Sequence, residues 1–184
     1  MKKTLWVVLA IVAVVVIYAW SSYNSLVKAD ESINGQWAQV ETQYQRRFDL
    51  IPNLVNSVKG IMNQEKEVFE NLANARTHYA GAQTPESKVQ AANEVESSLA
   101  RLLVVVENYP QLKSSENVQT LMVQLEGTEN RISVERNRYN DEVRDFDTMI
   151  KRFPKNVVAS MFGFSEREYF QAAIGADQAP QVNL

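Results

Sequence analysis

The sequence predicts an all-α protein: an N-terminal transmembrane helix followed by an antiparallel bundle of the four-helix up-and-down type, with three long helices and a shorter C-terminal one. Three observations carry this prediction. Met1-Lys2-Lys3 is followed by an uncharged apolar run from Leu5 to Trp20. Apolar and aromatic residues then recur at alternating steps of three and four, the repeat of one helical face. Gly and Pro, 6 and 5 of 184 residues, fall mainly at a few punctuation points between those stripes.

The leading segment sets the first element. At about 1.5 Å per residue the run from Leu5 to Trp20 spans roughly 24 Å, and 4–23 about 30 Å, the thickness of a hydrocarbon core. Trp6 lies near one end, and Tyr18, Trp20 and Tyr23 near the other, where aromatic belts meet a membrane interface. A cleaved signal peptide is the competing reading. Its apolar core would be long, and Ala19-Trp20-Ser21 is the nearest approach to a small-x-small cleavage site, so a retained single-pass anchor is favoured. Lys2, Lys3 and the amino terminus precede the span, whereas Lys28, Asp30 and Glu31 follow it. The positive-inside bias therefore puts the N-terminus inside and the soluble domain outside. The expected organisation is an anchor over 1–23, a bundle over 24–174 and a flexible tail over 175–184.

The second stripe runs Ile33, Trp37, Val40, Tyr44, Ile51, Leu54, Val58, Ile61, Val68, Leu72, Ala75 and Tyr79. Its phase passes Pro52 without a skipped residue. The expectation is one long helix ending near Ala80-Gly81 and kinked at Pro52, whose ring displaces the Phe48 carbonyl. Two helices meeting near Leu50–Pro52 are the alternative. Asn34 and Gly35 weaken the helix locally.

Thr84-Pro85-Glu86 begins the next helix, with Thr84 as N-cap and Pro85 at its first position. Its seam is Ala92, Val95, Leu99, Leu102, Val106 and Tyr109, and Pro110 stops it. Ser114-Ser115-Glu116 opens the third long helix, with Val118, Leu121, Leu125, Thr128, Ile132, Tyr139, Val143, Phe146, Ile150 and Phe153 on its seam. A short helix is expected from Lys155 to Met161. Another should start at Glu166, after the capping-box pattern Ser165-Glu166-Arg167-Glu168. Such seams pack as knobs into holes, as in coiled coils. Phe162 and Phe164, either side of Gly163, should close one end of the bundle; if both were exposed they would mark a partner or membrane contact.

Composition removes several functions. The formal charge is −3, which argues against a nucleic-acid partner. With no cysteine and His78 as the single histidine, Ser-His and Cys-His catalysis and most zinc sites lack their residues. A carboxylate-bridged dimetal site needs Glu-x-x-His, and Ala75 stands three residues before His78. No catalytic, metal or cofactor-binding residue is therefore assigned, and no cofactor is expected.

Polar residues on or beside the seams form the candidate interaction site: Arg46, Arg47, Asp49, Asn53, Glu107, Glu129, Asn130, Arg131, Tyr139 and Asn140. A charge on a core face needs a partner. The structural reading pairs Arg46 or Arg47 with Glu107 or Glu129 to fix helix register. The functional reading lines a crevice with these groups or mates them with another copy. The terminal run Ala179-Pro180-Gln181-Val182-Asn183-Leu184 has the form that a strand-adding, carboxylate-binding domain captures, although such tails are usually disordered.

These residues resemble the LemA family of bacterial membrane proteins. The blocks that carry the resemblance are Tyr23-Asn24-Ser25-Leu26-Val27, the run Arg46 to Val55, Val58-Lys59-Gly60, Glu107-Asn108-Tyr109-Pro110, Thr128-Glu129-Asn130-Arg131-Ile132, Tyr139-Asn140, Phe153-Pro154 and Phe162-Gly163-Phe164. The family often has Tyr where Phe48 stands, which keeps an aromatic ring. The resemblance implies a single-pass protein of the inner or plasma membrane with a helical-bundle soluble domain, and the family includes relatives associated with magnetosome membranes. It brings no catalytic residue. The expected function is a non-enzymatic scaffold or assembly factor of the bacterial envelope, with the lipid bilayer and envelope proteins as partners and homo-oligomers among its assemblies. A binding module for a small envelope molecule or lipid, using a crevice beside Arg47, Asp49 and Asn53, is the alternative. A hydrolase with paired carboxylates ranks below both.

Overall fold

The computed structural model describes residues 2–62 and 64–170, and all regular structure among them is helical. In order these are α1 (Lys2–Val58), α2 (Lys66–Gly81), α3 (Pro85–Glu107), α4 (Pro110–Lys113), α5 (Glu116–Lys151) and α6 (Lys155–Phe162). The chain divides into two compact units. Unit 1 combines the chain up to Val40 with Val134–Tyr169, and unit 2 comprises Glu41–Ser133 with Phe170 among the described residues. Helices α1 and α5 each contribute to both.

In unit 1, residues 2–18 of α1 are exposed on every side although the run is apolar. This is the one helix among the described residues long and apolar enough to cross a membrane. The pattern changes at Ser22. Ser22, Leu26, Ile33 and Val40 are buried at steps of four and seven, which is one helical stripe. Tyr139, Val143, Phe146 and Asp147 of α5 and Val158 and Ala159 of α6 are the other buried side chains of this unit. Ring contacts knit it: Trp37 meets Tyr139 at 5.8 Å between centroids, and Tyr23 meets Phe162 at 4.7 Å.

Two expectations are corrected here. α5 ends at Lys151, so Phe153 leaves the seam and is 81% exposed. No helix starts at Glu166: Ser165–Phe170 is irregular despite its capping-box pattern. Non-local partners hold that segment instead. The Arg167 backbone N–H donates to Asp147 Oδ1 at 3.1 Å, its guanidinium reaches Asp30 and Asn34, and Tyr139 Oη donates to the Glu168 carbonyl at 3.2 Å. These bonds take up groups that a helix N-terminus would have left for its own capping. The C-terminal run from 171, including the expected tail and its Val182–Leu184 end, lies outside the described residues.

In unit 2, α1 passes Pro52 unbroken, so the paired helices meeting near Leu50–Pro52 do not form. Nor does the helix reach Gly81. It ends at Val58, and α2 starts at Lys66. Ile61 and Met62 N–H both donate to the Val58 carbonyl at 3.0 Å, which closes the turn. The stripe slips by one residue there: Ile61 is 46% exposed, whereas Met62 is fully buried. Gly60, about 1 kcal/mol worse than Ala in a helix interior, supplies the local weakness. α2 then returns beside α1. Tyr79 packs edge-on to Phe48 at 4.6 Å and tilted to Tyr44 at 5.8 Å.

Thr84 caps α3 as expected, but its capping-box partner is Ser87. α2 and α3 pack together. Their buried residues Leu72, Ala75, Ala92, Val95, Leu99, Leu102 and Val106 share the core of unit 2 with Ile51, Leu54, Val118 and Leu125. Pro110 does more than stop α3, since it is the first residue of the four-residue α4. The single expected helix over 33–79 is thus two, and the described chain has four longer helices where three were expected.

Candidate functional site

The ion pair of Arg47 with Glu129 is the core of the candidate site. Arg47 is buried because it sits between seam residues Tyr44 and Ile51, one residue before Phe48. Its guanidinium meets the Glu129 carboxylate across α1 and α5, and the side chains are 9% and 43% exposed. Thr128, beside it on the α5 seam, is also buried and donates its hydroxyl to the Leu125 carbonyl at 2.7 Å. A buried cation next to a part-exposed carboxylate fixes which turn of α5 faces which turn of α1, because a slipped register would strand the charge.

An open crevice of about 440 Å³ adjoins the pair, lined by Arg46, Asp49, Leu50, Gln124, Gly127, Thr128 and Arg131. The size falls in the range of small-molecule sites. Arg46, Asp49 and Arg131 are exposed. Asp49 accepts a hydrogen bond from Gln45 Nε2 at 2.7 Å, one turn earlier on α1. Gly127 lines the crevice without a side chain, and a Cβ there would meet nothing within 4 Å. It presents two guanidinium groups and one carboxylate, a set that suits a small anionic group and offers no activated nucleophile.

The remaining sequence-selected residues fall elsewhere. Glu107 is exposed at the end of α3, beside Lys113, Gln119 and Met122, and is not the partner of Arg47. Asn53 is exposed, and its carbonyl accepts from Ser57 Oγ. Asn130 is exposed on α5. Tyr139 and Asn140 belong to unit 1. Tyr139 is buried with its hydroxyl on Glu168 and its ring on Trp37.

Unit 1 holds a second polar network that the sequence did not single out. Asp147 is 5% exposed and accepts the Arg167 N–H, while Arg167 forms an ion pair with Asp30 at 2.8 Å. The available sign was that Asp147 follows Phe146 and lies one turn after Val143, at the edge of the α5 seam. In unit 2, Lys88 of α3 pairs with Glu41 of α1, and His78 of α2 meets Glu94 of α3 at 2.8 Å. Burial, with Glu41 as the second cause, pushes the Tyr79 phenol above the ordinary tyrosine range. Among the described residues no group of three His, Asp or Glu side chains is placed to hold a metal ion.

A sequence model of the LemA family matches residues 36–184. The chain belongs to the LemA family. This LemA-family chain is also similar to the Magnetosome protein MamQ 2 of Paramagnetospirillum magneticum, at 26% identity over 84% of the chain and 66% of that protein. The Magnetosome protein MamQ of Magnetospirillum gryphiswaldense is 24% identical over 87% of the chain and 70% of its own length. Protein LemA of Metamycoplasma hominis is 22% identical over 82% of the chain and 69% of its length. The chain thus spans about two thirds of the length of these relatives. Together with the exposed apolar start of α1, the family match supports a membrane-associated protein.

Proposed function

We propose that this LemA-family protein is a non-enzymatic scaffold or assembly factor of the bacterial envelope, anchored by residues 4–23. One observation carries the reading: a single helix, α1, passes without a break from an apolar stretch exposed all round to a packed stripe beginning at Ser22. Anchor and the packed stripe of unit 1 therefore share one helix, a connection that carries position from membrane to partner and needs no reacting groups. The relatives named as magnetosome proteins fit a role in an assembled structure. Partners are envelope proteins and other copies of the chain. The charges of Lys2 and Lys3 favour an N-terminus inside and the bundle outside the inner membrane. In-cell crosslinking from photoreactive residues at exposed bundle positions such as Val104 and Val123, read by mass spectrometry, should recover envelope neighbours. A strictly monomeric detergent-solubilised protein with no crosslinked neighbour would count against the proposal.

The crevice of unit 2 favours a second reading, a binding module for a small anionic envelope molecule or lipid headgroup held by Arg46 and Arg131. Native mass spectrometry of the purified chain should then show a small-molecule adduct lost in Arg131→Ala. Identical spectra for both would remove this reading.

A further inference from the structure

Short helix α6 carries an apolar face that the core of unit 1 does not cover. On α6, Val157 and Met161 stand at i and i+4 with Phe162 beside them, and Phe153 lies in the turn just before the helix. They are 50%, 75%, 57% and 81% exposed, whereas Val158 and Ala159 on the other side are buried. Four large apolar side chains on eight to ten residues form a patch that water disfavours, and such patches mark contact surfaces.

The position of α6 says what contacts it. Its first residue, Lys155, donates from Nζ to Ser25 Oγ of α1 at 3.1 Å. Its last residue, Phe162, packs its ring on Tyr23 of α1 at 4.7 Å. Laid along α1, a helix about 12 Å long would touch points about eight residues apart. Here the two contacts are only two residues apart, at Tyr23 and Ser25, so both ends of α6 meet α1 at one level. They also lie within a few residues of Trp20, the end of the apolar run, at the height where Tyr and Trp meet headgroups. Trp20 itself is 73% exposed. Arg152, next to Phe153 in the chain, and Lys28, one turn after Ser25 on α1, are both exposed and add positive charge that suits anionic lipid.

We infer that α6 and the turn before it are a second membrane contact: Phe153, Val157, Met161 and Phe162 insert into the interface of the same bilayer that 4–23 crosses. The inference rests on the anchor reading above. A short helix lying in the interface plane, joined to the anchor at both its ends, fixes the tilt of unit 1 against the membrane, which a single spanning helix leaves free. The occupant is lipid surface, because Phe162 of the patch packs on Tyr23, three residues after the apolar run ends at Trp20.

The chain contains no cysteine, so single cysteines report cleanly. Full-length Met161→Cys, Val157→Cys, Val12→Cys and Asn137→Cys proteins, labelled with an environment-sensitive fluorophore, are reconstituted in phosphatidylcholine–phosphatidylglycerol vesicles. M161C and V157C should lose fluorescence to shallow spin-labelled lipid, V12C to deep spin-labelled lipid, and N137C to aqueous iodide only. Iodide quenching at M161C and V157C with V12C still quenched by lipid would overturn the inference and leave the anchor standing. Shielding of M161C and V157C from both quenchers would mean that a second copy covers α6, and would overturn it too. Iodide quenching at V12C would remove the anchor, and the inference with it.

Discussion

Replacing Glu129 by Gln keeps the shape of the side chain and removes the charge that faces Arg47. The cost follows from the exposure of each partner. Stripping a partner from a fully buried pair costs about 3–5 kcal/mol, whereas an exposed pair contributes about 0.2–1 kcal/mol. Here Arg47 is 9% exposed and Glu129 43%, so one charge is desolvated and the other is half in water. The expected loss lies between those limits, at about 2 kcal/mol. For a chain of this size that lowers the melting temperature by about 4–8 °C. The double variant Arg47→Met, Glu129→Leu should melt nearer the parent than E129Q does, because no charge is then buried alone. Thermal unfolding of the three proteins in detergent, followed by far-UV circular dichroism, makes the comparison. An E129Q protein within about 0.5 kcal/mol of the parent would refute the reasoning, since that is the range of ordinary surface substitutions.

Tyr79 gives a pH dependence. Folding raises its pKa, so the folded state holds the phenolic proton more tightly than the unfolded chain. The associated stability is complete below the unfolded value of about 10 and is lost as pH rises above it. The melting temperature of the parent should therefore fall more steeply above about pH 10 than that of Tyr79→Phe; parallel curves would dismiss the effect. Arg167→Ala removes the ion pair to Asp30 and the bond to Asn34 while leaving the backbone bond to Asp147. Its side chain is 36% exposed, so global stability should fall by only about 0.5–1 kcal/mol. Limited proteolysis should nevertheless cut Phe164–Phe170 sooner than in the parent, and equal cutting rates would show that Arg167 does not hold the segment. Gly60→Ala meets no atom within 4 Å and should leave α1 and α2 as two helices with a stability change under about 1 kcal/mol. Spin-label distances between exposed positions of α1 and α2 check this, and a lengthening to those of one continuous helix would contradict it.

The helices were legible in the sequence because burial follows the 3.6-residue repeat. Seam residues Val95, Leu99, Leu102, Leu125, Ile132 and Phe146 are all buried. The reversal after Val58 was not legible, because the two stripes stay nearly in phase across the turn. Only the exchange of Ile61 for Met62 on the buried side, with Gly60 before it, betrays it. Continuation through Pro52 was legible, because the stripe keeps its phase there, and α1 carries on through it. At the C-terminal end a local rule lost to distant partners. Ser165 and Glu168 spell a helix start, yet Asp147, Asp30 and Tyr139 claim the segment. The candidate site was legible residue by residue, but not in its grouping. Spacing shows that Arg47 and Glu129 each lie on a seam; which carboxylate meets which cation depends on the axial offset of α1 and α5, and no one-dimensional pattern encodes that. Asp147 and Arg167 escaped notice for the same reason, lying far apart in sequence and together in space.

The most direct test is a nitroxide scan along α1 in reconstituted bilayers, one cysteine at a time from Leu5 to Val40, comparing accessibility to oxygen and to a polar relaxant. From Leu5 to Ile17 every position should be lipid-exposed with no helical repeat, because no protein packs there. From Ser22 onward, protection should recur at Ser22, Leu26, Ile33 and Val40. A repeat of protein-buried positions already within Leu5–Ile17, or water access throughout that run, would contradict a membrane helix continuous with the bundle.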